Sequence, residues 1–217
     1  MKPLCFPRAV IFDWDNTLVD SWGSIGSALN RVRGHFGQDP WNTEEVRRNS
    51  TRSAREIFPD WYGDRCQEAM DLFRSYYREI HMQDLRPLDG AEDLLCWLQG
   101  KKIPMMVVSN KTNFSLSRES AALGWDPYFA SLVGSNDAPR DKPARDPADH
   151  ALWLAGLEAD PSIWLVGDSE TDIACARNAT CTPVLIGTEE EAAKFGADLF
   201  ASDCRVFLDL LKGYGIP

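Results

Sequence analysis

The feature that most constrains the fold is the alternation, from Asp89 onward, of short apolar runs with segments of helical pattern. The runs carry no polar face, which is typical of strands that are buried on both sides. Strands that alternate with helices form βαβ units around a parallel sheet. With a similar run near the amino terminus included, the predicted strands cover residues 10–12, 105–108, 132–133, 163–166 and 184–186. The sequence therefore predicts an α/β fold, a parallel sheet flanked by helices.

A segment of different pattern separates the first apolar run from this alternating part. Residues 20–85 contain no run of the buried-strand type, and their apolar side chains recur at helical spacing. Helical stretches are predicted over residues 20–36, from residue 42, and over residues 59–81. We expect a helical domain at residues 20–85, inserted into an α/β core made of residues 1–19 and 86–217.

Charge and composition exclude several classes of protein. The 217 residues carry a formal net charge of −10, which argues against a nucleic-acid binder that neutralises phosphates with a basic face. No apolar stretch is long enough to span a bilayer, and residues 1–7 lack the features of a signal peptide, so no membrane partner is predicted. The six cysteines are scattered without a Cys-x-x-Cys pair, so we expect free thiols and a cytoplasmic location.

Two acidic residues stand where the first predicted strand ends. Asp13 and Asp15 follow the apolar run, with Trp14 between them. Two carboxylates at one strand end repel each other, and a hard divalent cation with oxygen ligands, above all Mg²⁺, would relieve that repulsion. One carboxylate oxygen would remain able to attack an electrophile. The pair therefore predicts both a metal site and a nucleophile.

Polar residues also follow the later predicted strands. Ligands of open parallel sheets bind beyond the carboxyl ends of the strands, so we expect these residues to share one site with Asp13 and Asp15. Asp168 would complete the metal site, and Asp172 would orient Lys142 or a metal-bound water. The full set after the later strands and in their loops is Ser109, Asn110, Lys111, Lys142, Asp168, Ser169 and Asp172.

These groups supply what phosphoryl transfer requires. Asp13 would attack phosphorus and form an aspartyl-phosphate, which divides a difficult hydrolysis into two easier displacements. Asp15 would protonate the departing alcohol and later deprotonate the attacking water. The Ser109 hydroxyl and the Lys142 ammonium would hold the non-bridging oxygens and offset their charge.

Four stretches of the chain resemble, in order, the four motifs of the haloacid dehalogenase superfamily. They are FDWDNTLVDS at 12–21, VVSNK at 107–111, KPARDP at 142–147 and GDSETD at 167–172. The resemblance covers essentially the whole chain, and the nearest-looking relatives are the phosphoglycolate phosphatase-like enzymes. It implies a Rossmann-like core with an inserted helical cap of the C1 type. It also implies a Mg²⁺-dependent hydrolase of small phosphate esters.

The resemblance implies roles for individual residues. Asp13 would be the nucleophile and Asp15 the general acid/base, and Mg²⁺ would be held by Asp13, the main-chain carbonyl of Asp15, and Asp168. The implied phosphate-binding residues are Thr17, Ser109, Asn110 and Lys142. The chain departs from the family pattern at Asn16, where glycine is usual. Asparagine tolerates left-handed backbone angles better than most residues, so we expect the loop to form.

Sequence details discriminate among the chemistries of the superfamily. True dehalogenases lack the acid two residues after the nucleophile, so Asp15 favours phosphate esters. Phosphonate hydrolases use a lysine in the cap, and this chain has no lysine between Lys2 and Lys101. A phosphosugar mutase of the β-phosphoglucomutase type shares all four motifs and stays open. A non-catalytic protein that binds a phosphorylated ligand or a protein partner also stays open.

Substrate choice is expected to depend on the cap. Arg52 lies near the position where related caps carry a substrate-specificity loop, and its guanidinium would pair with a carboxylate or second phosphate of the substrate. An exposed arginine on a helical surface is an equally good interpretation. The sequence predicts neither the physiological substrate nor the oligomeric state.

Overall fold

A computed structural model of the chain describes residues 5–50 and 54–214. The chain divides into two compact units. The α/β unit comprises Met1–Val19 and Pro87–Pro217, and the helical unit comprises Asp20–Arg86. The assignment of these units as catalytic core and cap stays a prediction.

Helices dominate the described part of the helical unit. They are α1 (Trp22–His35), α2 (Thr43–Asn49), α3 (Ala54–Tyr62) and α4 (Cys66–Ile80). The single stretch predicted over residues 59–81 is wrong, because a 3₁₀ turn at Gly63–Arg65 separates α3 from α4, with Gly63 at a φ of 52°. The apolar spacing continues across this break, since Phe58, Tyr62 and Ala69 contribute to the same hydrophobic core.

One parallel sheet of six strands, in the order β3-β2-β1-β4-β5-β6, organises the described part of the α/β unit. Its strands are β1 (Ala9–Phe12), β2 (Met105–Thr112), β3 (Phe129–Ser135), β4 (Ile163–Gly167), β5 (Thr182–Ile186) and β6 (Leu199–Ala201). Every residue of β1, β4 and β5 is buried, as expected for strands packed on both faces. The predicted fold class, a Rossmann-like α/β fold with an inserted helical segment, is confirmed.

The helices of the α/β unit mostly alternate with its strands. They are α5 (Ala91–Gly100), α6 (Asn113–Leu123), α7 (Asp146–Leu154), α8 (Glu170–Asn178), α9 (Glu189–Phe195) and α10 (Cys204–Gly213). The sequence did not predict β6 or α9. β6 has three residues, and Ala192 is the buried residue of α9, so neither carries a recognisable hydrophobic period.

The structure describes the cysteines and the lengths of the helices. All six cysteines are free thiols, as predicted. Among the described residues, no helix combines the length and the apolarity that crossing a bilayer requires.

Candidate active site

The strand order places two aspartates at the topological switch point, between β1 and β4, where the order of successive strands reverses. The chain steps from β1 through β2 to β3 on one side, and continues through β4, β5 and β6 on the other. Doubly wound sheets bind ligands beyond the strand ends at this point. Asp13 directly follows β1 and Asp168 directly follows β4. The Asp13 N–H donates to the Val166 carbonyl at 2.8 Å, which keeps the two strand ends in register.

The loop after β1 is fixed to the core by Trp14. This side chain is fully buried and lies edge-on to Trp125 and Phe129, with ring centroids 5.7 and 6.2 Å away. The Trp14 carbonyl accepts hydrogen bonds from two backbone N–H groups further along the loop. Asn16 adopts the expected left-handed conformation, with a φ of 61°, and its N–H donates to the Val19 carbonyl at 2.7 Å. The backbone that carries Asp13 and Asp15 is therefore tightly held.

Both carboxylate oxygens of Asp13 have hydrogen-bond donors. Lys142 Nζ lies 2.5 Å from Asp13 Oδ1 and 2.7 Å from Asp172 Oδ1, so one lysine bridges two acids. The Thr17 hydroxyl donates to Asp13 Oδ2 at 3.2 Å. All four side chains are buried. The structure thus brings together the predicted nucleophile, the predicted phosphate-binding Lys142 and Thr17, and Asp172.

The acids around Asp13 form a group that fits a divalent cation. Asp13, Asp168 and Asp172 each offer an oxygen, and these oxygens lie within 4.8 Å of one another. Burial raises the pKa of Asp13 to about 7, although the Lys142 charge opposes this shift. Burial, helped by the charges of Asp13 and Asp172, also raises the pKa of Asp168. Hard oxygen donors that repel one another in a buried place suit Mg²⁺.

Asp172 is already engaged by the protein. Its Oδ1 accepts from Lys142, and its Oδ2 accepts from the Ser169 N–H at 3.1 Å and the Ser169 hydroxyl at 2.5 Å. The Ser169 N–H contact and the bond from the Asp172 N–H to the Ser169 hydroxyl, at 3.4 Å, form the capping box that starts α8. Gly167 is required beside them, because a Cβ there would lie 2.2 Å from Asp172 Cγ. Asp172 is therefore fixed between Ser169 and Lys142, and its contact with Lys142 fits the predicted role of orienting that lysine.

Lys142 is held as an ammonium ion by its neighbours. Burial lowers its pKa, but the carboxylates of Asp13 and Asp172 raise it by more, and the net shift is upward. Its backbone is fixed by Asn110, whose side-chain Nδ2 donates to the Lys142 carbonyl and whose Oδ1 accepts from the Lys142 N–H, both at 3.0 Å. The Asn110 side chain is thus committed to Lys142. A phosphate contact of Asn110 stays a prediction.

Ser109 and Asp15 lie at the carboxyl ends of neighbouring strands, β2 and β1. Ser109 is part of β2, and its buried hydroxyl accepts from the Lys111 N–H at 3.1 Å. Because the hydroxyl accepts this bond, its own proton can be directed at an anion. Asp15 Oδ1 lies 2.7 Å from Lys111 Nζ. Arg52, the predicted substrate-specificity residue, falls outside the residues that the structure describes.

Sequence reasoning missed two residues of this region. Lys111 was noted as a member of its loop without a role, and Glu119 was not noted at all. Lys111 Nζ contacts Asp15 and also Glu119 Oε2, at 2.5 Å. The available signal was the position of Glu119 in α6, at helical spacing from the buried Ser115 and Leu116. A charged residue on a buried helix face needs a partner.

A family model described as haloacid dehalogenase-like hydrolase matches residues 10–186. The chain belongs to this family. Phosphoglycolate phosphatase of Chromobacterium violaceum is 29% identical over 220 residues, which cover 94% of this chain and 96% of that protein. Phosphoglycolate phosphatase 1 of Pseudomonas aeruginosa is 31% identical over 186 residues, which cover 80% of this chain and 66% of that protein.

A solved structure shares both the fold and a related sequence. The crystal structure of a haloacid dehalogenase-superfamily hydrolase from Ehrlichia chaffeensis matches with a TM-score of 0.69 and 27% identity, over 97% of this chain and 98% of that chain. The predicted family is therefore confirmed. So is the predicted enzyme class, a haloacid dehalogenase-like hydrolase of phosphoric monoesters.

Proposed function

We propose that the chain is a Mg²⁺-dependent phosphatase that hydrolyses a small phosphomonoester, phosphoglycolate or a similar anion, through an aspartyl-phosphate on Asp13. The contact that carries this proposal is the one between Asp13 Oδ1 and Lys142 Nζ, at 2.5 Å, beside Asp168 at the reversal point of the sheet. Relatives named phosphoglycolate phosphatase support the substrate class. Six free thiols support a reducing compartment, and we propose the cytoplasm.

Asp13 and Asp15 divide the covalent steps between them. An oxygen of Asp13 forms a bond to phosphorus while the ester P–O bond breaks, and Asp15 gives its proton to the departing alcohol. Water then attacks the aspartyl-phosphate, Asp15 takes the proton from that water, and inorganic phosphate leaves. Asp13 is regenerated as a carboxylate, and Asp15 is regenerated in its protonated form.

The surrounding groups prepare Asp13 for attack and hold the phosphoryl oxygens. Lys142 and Thr17 bind opposite oxygens of the Asp13 carboxylate, which fixes its orientation. The ammonium of Lys142 and the hydroxyl of Ser109 are donors for the negative oxygens of the transferring group.

Asp13, Asp168 and the main-chain carbonyl of Asp15 would hold Mg²⁺. When bound, the ion supplies positive charge that offsets the negative charge of the phosphoryl oxygens. Asp172 keeps Lys142 in place beside this site.

The proposal is tested by the hydrolysis of phosphoglycolate and p-nitrophenyl phosphate in Mg²⁺. We expect turnover that EDTA abolishes and that Asp13→Asn lowers by at least about 1000-fold, because the nucleophile is lost. Asp149→Asn is the matched control, since Asp149 of α7 pairs with Arg145, the residue before this helix, at a partly exposed position. Retained activity in the Asp13→Asn protein would rule out the covalent mechanism.

Two further assays address the alternatives. Incubation with β-glucose 1-phosphate and a bisphosphate activator gives free phosphate from a phosphatase and glucose 6-phosphate from a mutase. A panel of phosphate esters, compared by kcat/KM, then identifies the substrate class. A protein that turns over none of these esters in Mg²⁺ would favour the non-catalytic alternative.

A further inference from the structure

We propose that Lys111 and Glu119 are positioning residues for the general acid/base, and that they fix the carboxylate of Asp15 toward the leaving-group oxygen. The inference rests on the proposed function, in which Asp15 protonates the departing alcohol. It is carried by one lysine that contacts two acids, with Lys111 Nζ 2.7 Å from Asp15 Oδ1 and 2.5 Å from Glu119 Oε2.

These contacts close into a ring on the loop after β1. The indole Nε1 of Trp14 donates to Glu119 Oε2 at 2.6 Å, and the same oxygen contacts Lys111. Trp14 and Asp15 are neighbours in the chain, so the path from Trp14 through Glu119 and Lys111 returns to the loop from which it starts. Glu119 is thereby fixed to a fully buried residue of that loop, and Lys111 contacts Glu119.

Burial makes this ring more than a surface ion pair. The side chains of Lys111 and Glu119 are 5% and 1% exposed, whereas that of Asp15 is 20% exposed. Exposed pairs gain little because water screens them. A buried ammonium must be compensated by nearby acids, and breaking such a group is costly. The ring therefore contacts Asp15 from its buried side, and part of the Asp15 side chain stays exposed to solvent.

A parallel with Lys142 supports a catalytic purpose. Lys142 joins Asp13 to Asp172 of α8, and Lys111 joins Asp15 to Glu119 of α6. Each of the two predicted catalytic acids thus has a buried lysine, and each lysine has a second acid supplied by a helix. The ion pair with Lys111 holds Asp15 Oδ1 on the buried side of the carboxylate, and the proposal assigns Oδ2 to the leaving-group oxygen.

Leaving-group dependence provides the test, because only the acid step responds to the basicity of the departing oxygen. Phenyl phosphate and p-nitrophenyl phosphate are alike in charge and close in size, but p-nitrophenolate leaves readily without a proton. We expect Lys111→Met to lower kcat/KM for phenyl phosphate by about 100-fold and for p-nitrophenyl phosphate by less than about 5-fold. The parameter kcat/KM reports the steps up to release of the alcohol, so the later hydrolysis does not enter.

Two variants separate positioning from general damage. Lys111→Arg keeps the charge, and we expect it to recover part of the phenyl phosphate activity. Ser120→Ala is the control in α6, the helix that carries Glu119. It removes a buried hydroxyl that donates to Asp126 at 2.5 Å, and we expect the ratio of kcat/KM for the two esters to stay at the wild-type value. If Lys111→Met fails to fold, Glu119→Gln takes its place and is expected to change the ratio in the same direction.

The outcomes distinguish this inference from the proposed function. Equal losses on both esters in Lys111→Met would overturn the positioning role and assign Lys111 to phosphate binding or to packing. An unchanged ratio in Glu119→Gln protein, with Lys111→Met unfolded, would overturn it as well. A wild-type protein that hydrolyses neither ester would instead contradict the proposed function itself.

Discussion

The α/β unit buries some of its charged side chains, and an ion pair of the helical unit provides an exposed pair for comparison. In the α/β unit, the side chain of Lys142 is 3% exposed and contacts the carboxylates of Asp13 and Asp172. In the helical unit, the pair between Arg31 and Glu79 has side chains 43% and 54% exposed. Buried charges pay a large desolvation cost and persist only with several well-placed partners. Lys142 is therefore buried beside the predicted catalytic acid, whereas the Arg31 and Glu79 pair stays exposed to water.

Cohesion in the helical unit has a different source. Phe58 is fully buried, and its ring centroid lies 5.7 Å from that of Trp61, 5.2 Å from that of Tyr62 and 5.6 Å from that of Phe73. Aromatic side chains bury much apolar area and prefer such edge-on and tilted contacts. The comparison therefore predicts that charge removal harms the α/β unit most, and that loss of aromatic packing harms the helical unit most.

The largest effect is expected for Lys142→Met, measured in EDTA. The substitution leaves Asp13 and Asp172 buried together without the ammonium that joins them, which should lower the free energy of unfolding by about 3–5 kcal/mol. Urea unfolding measures this loss. Turnover of p-nitrophenyl phosphate in Mg²⁺ should also fall by at least about 100-fold. A loss of stability below about 1 kcal/mol would contradict the contrast between the two units.

A loss of about 3 kcal/mol is expected for Phe58→Ala, because the cavity removes contacts with three aromatic neighbours. Hydrogen exchange locates the effect. Amides of α3 and α4 should exchange faster, and amides of β1 and β4 should keep their protection. Equal loss of protection in both groups of amides would show that the two units unfold together, and the comparison would then apply to function alone.

Mg²⁺ should stabilise the protein by about 2.7 kcal/mol at a concentration 100 times its Kd. At one fixed Mg²⁺ concentration, the stabilisation should be larger at pH 8 than at pH 5.5. Burial raises the pKa of Asp13 from 3.8 to about 7 in the folded chain, so the folded state binds the proton more tightly and loses stability as the pH rises from about 4 through 7. Mg²⁺ would bind the ionised carboxylates and would offset this loss.

Thermal unfolding at both pH values measures the Mg²⁺ effect. Asp168→Asn removes one of the proposed ligands and should abolish most of the Mg²⁺-dependent rise in Tm. Asp149→Asn, in α7, should leave that rise intact. A shift in Tm that is the same at both pH values would contradict the role of the buried carboxylates.

The sequence predicted those strands and site residues whose pattern is contained within a few consecutive positions. The apolar runs predicted five of the strands, because a strand buried on both faces needs no polar residue. GDSETD could be read because its groups lie within a few residues of one another, where Ser169 starts α8 and Asp172 completes its cap. By contrast, β6 is too short to carry a pattern, and only the backbone reveals the break at Gly63 between α3 and α4.

Two contacts that support the predicted site residues escaped prediction. Glu119 meets Trp14 across 105 positions of sequence, and the Asn110 side chain meets Lys142 across 32. The spacing of these residues along the chain does not specify either contact. Both contacts depend on how α6 and the loop before α7 pack against the sheet. The predicted acids were found because they follow strands. Their supporting residues became visible only when the strands were placed side by side.

The smallest effect is expected for Glu79→Gln in the helical unit. The substitution removes a charge that lies 2.7 Å from Arg31 but keeps the size of the side chain. Because both side chains are largely in water, the free energy of unfolding should change by only about 0.2–1 kcal/mol, and this change should shrink further in 1 M salt. Urea unfolding at low and high salt measures both quantities. A loss above about 2 kcal/mol that persists in salt would mean that the helical unit also depends on its charges, and the contrast with Lys142 would fail at its weaker end.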